Sequence, residues 1–284
     1  MASMRDIKRR KVSIQSTQQI TKAMKLVSTV KLQRAKQQAE KTKTYFNCMY
    51  ETVTSMLAKT SNVNHPYLKA GESGRKAVIA ITSNRGLAGG YNSNVVKLIT
   101  RGELASEDLI IYNIGKKGRE SLQKHYEIAA DYSDIIESPM YPDAINISNE
   151  LLKAYAAGEI SEIYLAYMAF KNTVVHEPTL LKLLPVEVEE STAGQNESKA
   201  MMNFEPEDEE ALDLIIPKYV TSLIYGGMVE AVASENGARM QAMDSATSNA
   251  EEMIDDLSLL YNRARQGSIT QELTEIIAGA NAIS

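Results

Sequence analysis

A glycine-rich loop is the first stretch of the sequence whose residue types could carry chemistry. It runs from Ser83 to Asn92, between an apolar segment, Ala77–Thr82, that predicts a buried strand and a segment, Ser93–Leu104, that predicts a helix. Such a loop suits phosphate binding, because the first N–H groups of a helix attract anions. However, its glycine spacing fits neither a dinucleotide site nor a P-loop. No lysine follows the glycines, and no acidic residue about twenty residues on is placed to hold a ribose. We therefore favour a tight turn that requires positive φ at glycine.

The other residues that could do chemistry form no recognisable site. The three histidines, His65, His125 and His176, are far apart in the sequence. None of them forms a metal-ligand spacing with the single cysteine, Cys48. The acidic run Glu207–Glu210 is explained by charge stabilisation at a helix N-terminus, and no Ser/His/Asp set is recognisable. The sequence therefore predicts no catalytic residue, no cofactor and no metal site, and the lone cysteine is typical of a reducing compartment.

Strands and helices are expected to alternate in the middle of the chain, which we assign to a domain over residues 75–205. Besides the segments that flank the loop, strands are expected at 109–112, 127–130, 162–170 and within 173–188, with helices at 116–125 and 145–157. This alternation is typical of an α/β unit with a mostly parallel sheet. Residues 60–74 are expected to be a linker, and residues 189–199 a mobile polar loop.

Two long helices are expected at the ends of the chain. Residues 1–59 contain neither proline nor glycine, and apolar or small residues recur at steps of three and four from Leu32 to Met56. Ile20, Met24 and Val27 follow the same steps one phase earlier, which predicts a slip of the seam by one residue. Near the C-terminus the same steps recur at Met240, Met243, Thr247, Ala250, Ile254, Leu257, Tyr261 and Ala264.

A helix with an apolar seam needs a partner helix, and each end of the chain offers one to the other. Residues 1–59 carry thirteen Lys/Arg and three Asp/Glu, whereas residues 205–284 carry four and fifteen, so the two ends are electrostatically complementary. The expected fold class is therefore α/β: a long antiparallel coiled coil of N- and C-terminal helices, over residues 1–60 and 206–284, with an inserted Rossmann-like α/β domain.

Composition excludes some classes of function and leaves three open. No run of eighteen apolar residues predicts a membrane span, and the N-terminus lacks the apolar region of a secretory signal. The basic N-terminal helix has no aromatic residue between Met1 and Thr44 on which bases could stack. The open classes are a structural coupling subunit, a nucleotide-binding enzyme with a coiled-coil arm, and a basic coiled coil on nucleic acid or an anionic membrane.

Three segments of the chain resemble segments that occur in the same order in one protein family. The segments Ile20–Val27, Ser83–Asn92 and Tyr261–Ile277 are similar to those of the gamma subunit of F-type ATP synthases. The resemblance covers the whole chain, and the start at Met1 without an extension resembles bacterial rather than organellar members. Lys25 stands where many members have an acidic or another polar residue.

The resemblance implies a rotor shaft without an active site of its own. The paired terminal helices would enter a head of alternating alpha and beta subunits, and the α/β domain would sit below it with the epsilon subunit on the membrane ring of c subunits. The chain would bind no nucleotide and no nucleic acid, and would couple ring rotation to the catalytic sites on beta. It would be peripheral, at the cytoplasmic face of the cell membrane, with only indirect membrane contact through the complex.

The resemblance also indicates which residues should contact partner subunits. Lys22 and Lys25 are expected to face acidic loops of beta, and the segment that ends at Pro206 is expected to lie near the c-ring. Arg263 and Arg265 point to different sides of a helix, so at least one should reach the head; ion pairs with acidic residues at 252, 255 and 256 are the alternative. The expected contact residues are Ile20, Lys22, Met24, Lys25, Phe204, Glu205, Arg263, Arg265, Gln266, Ser268, Thr270 and Gln271.

Overall fold

The computed structural model describes residues 3–59, 65–69, 71, 74–102, 104, 108–186 and 208–283. The chain forms two compact units. One consists of Met1–Ser28 with Arg239–Ser284, and the other of Thr29–Ala238. Helix α1 covers Met4–Lys59 and helix α5 covers Asp208–Ile283, so each unit contains parts of both helices. The fold class is α/β with long N- and C-terminal helices, as expected.

A five-stranded sheet organises the Thr29–Ala238 unit. Its strands are β1 (Lys76–Ile81), β2 (Leu109–Ile114), β3 (Glu127–Asp131), β4 (Glu162–Phe170) and β5 (His176–Leu184). Their order is β3-β2-β1-β4-β5. The first four are parallel, and β5 pairs antiparallel to β4. This confirms the mostly parallel sheet and the pairing of the last two strands that the sequence predicts.

Both faces of the sheet are covered, because successive side chains of a strand point to opposite sides. Ile79 and Ile81 lie in a core cluster with residues of α4 (Tyr141–Ala156) and the first part of α5. Val78 and Ala80 lie in a second cluster with residues of α2 (Tyr91–Arg101) and α3 (Lys116–Leu122). A short 3₁₀ helix, Pro66–Leu68, precedes β1.

Helix α4 begins four residues before the expected position at 145. The backbone N–H of Met140 donates to Asp143 Oδ2 at 2.9 Å, which fixes the start of the helix, and Pro142 lies in the first turn. Proline is favourable there because the first N–H groups of a helix have no acceptor within it. The Pro142-Asp143 pair was the sequence signal for this earlier start.

The first turns of α5 pack into the sheet core. Leu212, Ile216 and Val220 are fully buried, and Pro217 lies inside the helix rather than before it. An internal proline costs about 3 kcal/mol. Burying a large apolar side chain contributes about 1.5–3 kcal/mol, so the core packing on both sides of Pro217 offsets that cost.

The other unit pairs the two ends of the chain. Gln18 donates to Glu251 at 2.9 Å, and Lys25 contacts Asp244 at 2.5 Å. As the first number rises the second falls, so the two segments run antiparallel, as expected. The predicted seam of α5 is confirmed, because Met243, Thr247, Ala250 and Leu257 are buried and the remaining members, Met240, Ile254, Tyr261 and Ala264, are half-buried.

The predicted slip in the seam of α1 is wrong. Ile20 and Val27 are each 57% exposed, whereas Thr21 and Ser28 are buried. The buried and half-buried stripe continues at steps of three and four from Met4 through Ile7, Lys11, Ile14, Gln18, Thr21, Lys25, Ser28, Leu32, Ala35 and Ala39 to Thr42, and again from Met49 through Val53 to Met56. Polar residues occupy the seam near residue 21 because they bond across it.

Candidate partner-binding surfaces

Within the part of the chain that the structure describes, no other helix packs against the last turns of α5. Every side chain from Ile269 to Asn281 is exposed, and the last half-buried residue before them is Ser268. Ile269, Leu273, Ile276 and Ile277 share one side of the helix by their spacing, and Ile276 is 67% exposed. An apolar stripe left open over about 12 Å of helix is typical of a surface that another protein covers.

The arginine cluster stands just before this exposed tip. Arg263, Arg265 and Gln266 are all exposed. The ion pairs among the described residues include neither arginine. The alternative of pairing with acidic residues at 252, 255 and 256 therefore does not occur within the part of the chain that the structure describes. Both guanidinium groups are available to a partner.

Near the exposed tip, Thr270 and Gln271 are also exposed. Thr270 donates to the Gln266 carbonyl oxygen at 2.9 Å, and Gln271 donates to Glu275 at 2.9 Å. Ser268 is half-buried and lies 3.5 Å from Glu272. These contacts all stay within α5, so they order the side chains without engaging another helix.

On α1 the expected contact residues divide into exposed and paired ones. Ile20 and Lys22 are exposed and Met24 is half-buried. Lys25 was expected to face an acidic loop of beta. It already has an acidic partner within the chain, because its ammonium nitrogen lies 2.5 Å from Asp244 Oδ1. Leu26 is 62% exposed and adjoins this patch, although sequence reasoning did not select it. The sequence signal for Leu26 was an apolar residue that lies outside the buried stripe of α1.

Two expected contacts, Phe204 and Glu205, lie outside the described residues. The same holds for Pro206 and for the polar loop at 189–199. Their proximity to a c-ring stays a prediction.

The glycine-rich loop of the α/β unit is closed by its own side chains. Asn92 accepts from the Ser83 backbone N–H at 2.9 Å. Asn84 accepts from the backbone N–H of Lys116 at 3.0 Å and so occupies the N-terminus of α3. Gly89 has φ 54°, the positive value expected at glycine, and Leu87 has φ 62° as well. The side chain of Asn84 thus caps α3, whereas α2, the helix that directly follows the loop, begins after Gly90 without a side-chain cap.

The histidines differ in their partners. His65 is buried and bonded to Asp213 at 3.0 Å and to the Tyr67 backbone N–H at 3.2 Å. His176 differs, because both of its ring nitrogens are buried and have no hydrogen-bond partner among the described residues. Burial lowers the pKa of His176. Among the described residues, no group of His, Cys, Asp and Glu side chains could hold a metal ion, and no helix has the length and apolarity needed to cross a membrane.

Known proteins share both the sequence and the fold. Residues 3–283 match the family model described as ATP synthase. The chain is 65% identical over 291 residues to the ATP synthase gamma chain of Lachnoclostridium phytofermentans, covering 100% of both chains. It is 39% identical over 299 residues to the sodium-ion-specific ATP synthase gamma chain of Acetobacterium woodii, covering 99% of both.

A solved chain from the mitochondrial ATP synthase of Euglena gracilis, a structure of its OSCP, F1 and c-ring, has the same fold. The TM-score is 0.68 at 19% identity, over 99% of this chain and 94% of that one. A chain from the central stalk and c-ring of the Tetrahymena thermophila enzyme gives a TM-score of 0.61 at 23% identity, over 80% and 99%. The full-length relatives and the family match together show that this chain belongs to the gamma-subunit family of ATP synthases.

Proposed function

We propose that the chain is the central rotor shaft of an F-type ATP synthase. It couples rotation of a membrane c-ring to ATP synthesis or hydrolysis in a surrounding head of alpha and beta subunits. The terminal helices enter the head, and the α/β domain meets the epsilon subunit and the ring. The complex lies at the cytoplasmic face of the cell membrane, with this chain peripheral and in contact with lipid only through the complex.

The exposed tip of α5 carries this proposal. Thirteen consecutive residues, Ile269–Asn281, form helix with every one of them exposed. An isolated helical segment of this length is marginal in water, and an open apolar stripe on it adds a cost of exposure. A sleeve formed by other subunits removes both costs, because it covers the stripe from outside while the segment stays a single helix.

The side chains near the tip suit contacts that form and break as a shaft turns. Arg263 and Arg265 offer rigid, always-charged donors on different sides of the helix. A charge-assisted hydrogen bond contributes about 1.5–3 kcal/mol, enough to favour one angle without locking it. The half-buried Met24 on α1 supplies an adaptable apolar contact of the kind that repacks easily.

The chain itself performs no catalysis in this proposal. The loop supports that reading, because its own Asn92 side chain accepts a hydrogen bond from the Ser83 backbone N–H. We expect that titration of the isolated chain with ATP or ADP gives no saturable binding. Saturable binding at the Ser83–Asn92 loop would favour the nucleotide-binding enzyme instead. Binding of DNA or anionic vesicles that weakens steeply with salt would favour a basic coiled coil on nucleic acid or an anionic membrane.

Rotation can be tested through Cys48, the single cysteine, which is exposed. We would assemble the chain with cysteine-free alpha and beta subunits, attach a bead to Cys48 through a biotin–maleimide link, and fix the head to a glass surface. ATP should drive continuous one-way rotation of the bead. Assembled complexes that hydrolyse ATP while the bead stays still would overturn the proposal. A chain truncated after Ser268 should assemble poorly or rotate with less torque.

The division into residues 1–60, 75–205 and 206–284 is kept as a proposal about organisation by function. In it the terminal segments provide the shaft and the middle segment provides the platform for epsilon and the ring. The support is that all five strands fall within the middle segment.

A further inference from the structure

The start of β5 and the turn before it contact α5 at a place where the helix has no side chain. A Cβ at Gly237 would lie 2.7 Å from the Cε1 atom of His176 and 2.9 Å from its Nε2 atom. The same Cβ would lie 3.6 Å from the carbonyl oxygen of Thr173, in the turn itself. Glycine at position 237 therefore lets the histidine ring and the turn approach the backbone of the helix.

The ring of His176 is packed between this helix and the neighbouring strand. Phe170 of β4 and His176 of β5 are partners in the antiparallel register, and the centroids of their rings lie 5.8 Å apart. Both ring nitrogens of His176 are buried and have no hydrogen-bond partner among the described residues. Buried polar atoms usually have such a partner, so this site accepts a neutral ring only at some cost.

His65 provides a contrast within the same unit. Its Nδ1 atom accepts from the Tyr67 backbone N–H at 3.2 Å, and its Nε2 atom lies 3.0 Å from Asp213 Oδ1. Both nitrogens of His65 therefore have partners. A proton added to His176 would instead place a charge and two N–H donors where neither nitrogen has an acceptor.

The charged groups on the hairpin and on α1 do not supply that acceptor. None of the described ion pairs includes His176. On the hairpin, Lys171 and Glu177 are exposed and lie 3.7 Å from each other. From α1, the Lys36 ammonium lies 6.0 Å from the centroid of the Phe170 ring, and a cation near this ring opposes a second charge on His176.

The charged groups of α5 and α2 do not supply it either. The Glu230 carboxylate accepts from the Phe170 backbone N–H at 3.4 Å, so it is engaged with the strand beside the ring. Glu235 and Arg239 each stand two positions from Gly237, about 200° round the helix, and so lie on other sides of α5. Helix α2, which also contacts β4 and β5, has no charged residue in its first six positions.

The turn between the two strands is closed by its own hydrogen bonds. Asn172 Oδ1 accepts from the backbone N–H groups of Val174 and Val175, each at 2.8 Å. The Asn172 backbone N–H donates to the Val175 carbonyl oxygen at 3.3 Å. Four of the five residues of the turn, Lys171–Val175, are exposed. The turn can therefore move away from α5 without losing the bonds that shape it.

We propose that His176 is an acid-sensitive latch between the β4–β5 turn and α5. While the ring is neutral, it stays packed between Phe170 and Gly237 and holds the turn against the helix. Once the ring is protonated, it leaves this site for water, and the turn moves away from α5. The latch is independent of the rotor proposal, because it needs only the contacts within the Thr29–Ala238 unit.

The direction of the pH effect follows from burial. Burial lowers the pKa of His176 below its ordinary value of 6.5, so the closed form binds a proton less well than the open form, whose ring is in water. The latch is therefore at full strength well above pH 6.5. It weakens as the pH falls below that value, until the lower pKa of the closed form is reached. One group of ordinary pKa can raise the ratio of open to closed forms by at most about tenfold between pH 7.5 and pH 5.5.

Hydrogen exchange of the full-length chain measures the opening. We would label the chain at pH 7.5 and at pH 5.5, correct each amide for its intrinsic exchange rate, and compare protection factors for peptides that cover residues 171–184. Protection of this hairpin should fall at the lower pH by up to about tenfold. Peptides from β1 and β2, in the centre of the sheet, should not change. Equal protection of the hairpin at the two pH values would overturn the proposal.

Two variants separate the latch from a general effect of acid. His176→Phe keeps a ring in the site but cannot take up a proton, so protection of the hairpin should no longer depend on pH. His125→Gln removes an exposed histidine elsewhere and is the matched control, in which the pH dependence should remain. A fall in protection that persists in His176→Phe would show that another group opens the turn, and would refute the latch.

Gly237→Ala tests the contact itself and serves as the second variant if His176→Phe does not fold. The new methyl group would collide with the ring, so His176 should move into water, and the turn should be poorly protected at both pH values. The Cε1–H signals of the three histidines, followed by NMR, should show His176 titrating below pH 6.5 in the unmodified chain and near pH 6.5 in Gly237→Ala. The same titration in both chains would mean that the ring does not lie against α5, and the latch would be wrong.

Discussion

The hydroxyl oxygens of Thr21 and Thr247 lie 2.8 Å apart between two antiparallel helices. Each also lies within reach of a carbonyl of its own helix, Thr21 at 3.0 Å from Gln18 and Thr247 at 2.7 Å from Met243. A hydroxyl has one proton. One threonine therefore donates to the other across the interface, while the second donates to a carbonyl of its own helix. If the contact between them is lost, each hydroxyl can still donate to its own helix.

We expect this pair to show a measurable but small coupling. Thr21→Val or Thr247→Val alone should lower the free energy of unfolding by about 1 kcal/mol or less, because the remaining hydroxyl returns to its own carbonyl and is not left unsatisfied. The double change should cost less than the sum of the two, since two methyl groups then pack together. Urea unfolding of the four chains gives the cycle. Thr17→Val is the control, because Thr17 is exposed and donates to the Ser13 carbonyl oxygen of its own helix at 3.1 Å.

The contact of Lys25 with Asp244 changes how the expected beta contact must be tested. Lys25→Glu would place two carboxylates together, so a loss of coupled pumping could arise inside the chain. The exchange Lys25→Glu with Asp244→Lys restores the ion pair, which is worth about 0.2–1 kcal/mol at such an exposed place. We expect ATP-driven pumping to stay low in the exchanged chain if Lys25 meets an acidic loop of beta.

Recovery of pumping by the exchange would show that the ion pair alone mattered. Lys22→Glu is the companion variant, because Lys22 is exposed and none of the described ion pairs includes it. It should reduce pumping by itself, and an unchanged rate would argue against the contact with beta.

The arginine cluster should matter for turnover more than for assembly. Arg263→Ala, Arg265→Ala and Gln266→Ala together remove exposed donors that make no described ion pair. We expect steady-state ATP hydrolysis by the assembled head to fall about tenfold or more, the effect of losing about 1.4 kcal/mol or more of stabilisation at one step. Gel filtration should show an intact complex.

Arg101→Ala serves as the comparison for the cluster. Arg101 is an exposed arginine at the end of α2 in the α/β unit. Its loss should leave hydrolysis unchanged. A triple variant with normal hydrolysis would leave the cluster without a role in the head.

Acid should weaken the sheet through Glu162. Burial raises the pKa of this carboxyl, but hydrogen bonds from Lys76 and Tyr164 and the charge of Lys182 outweigh it, so the net pKa lies below the ordinary value of 4.5. The stabilisation is present above about pH 4.5 and is lost as the pH falls through the lower pKa of the folded state. Glu162→Gln should therefore cost about 1 kcal/mol at pH 7 and much less at pH 3.

Urea unfolding followed by tyrosine fluorescence at both pH values measures this difference. Glu127→Gln is the control, because Glu127 pairs with Arg75 at an exposed place and should contribute little at either pH. An equal loss at pH 7 and pH 3 for Glu162→Gln would contradict the assignment.

The sequence predicted the seam of α5 correctly because its buried positions are apolar or small. The spacing of the buried residues Met243, Ala250 and Leu257 indicates the helical period directly. The strands of the sheet were predicted for the same reason, because their buried positions are apolar. The seam of α1 was misplaced because hydrophobicity was the only signal used. Thr21 and Ser28 are buried, and Thr21 bonds to Thr247 of the other helix, whereas the apolar Ile20 and Val27 are exposed. Such contacts depend on which residues the other helix places opposite.

The candidate contact surface was predicted only in part. The exposed arginines could be expected, since basic residues are rare in that acidic helix. The ion pair between Lys25 and Asp244 could not be expected, because the two residues are 219 positions apart in the sequence. Their register is fixed only when the two helices pair.

The polar lining of the helix pair also sets how that interface responds to temperature. Buried apolar surface raises the heat capacity of unfolding, and buried polar surface lowers it. With Gln18, Thr21 and Ser28 in the seam, separating the two helices exposes a mixed surface with a small change in heat capacity. The free energy of separating the two helices should therefore vary less with temperature than the free energy of unfolding the sheet core. Cooling should destabilise this helix pair less than it destabilises a coiled coil with an entirely apolar seam.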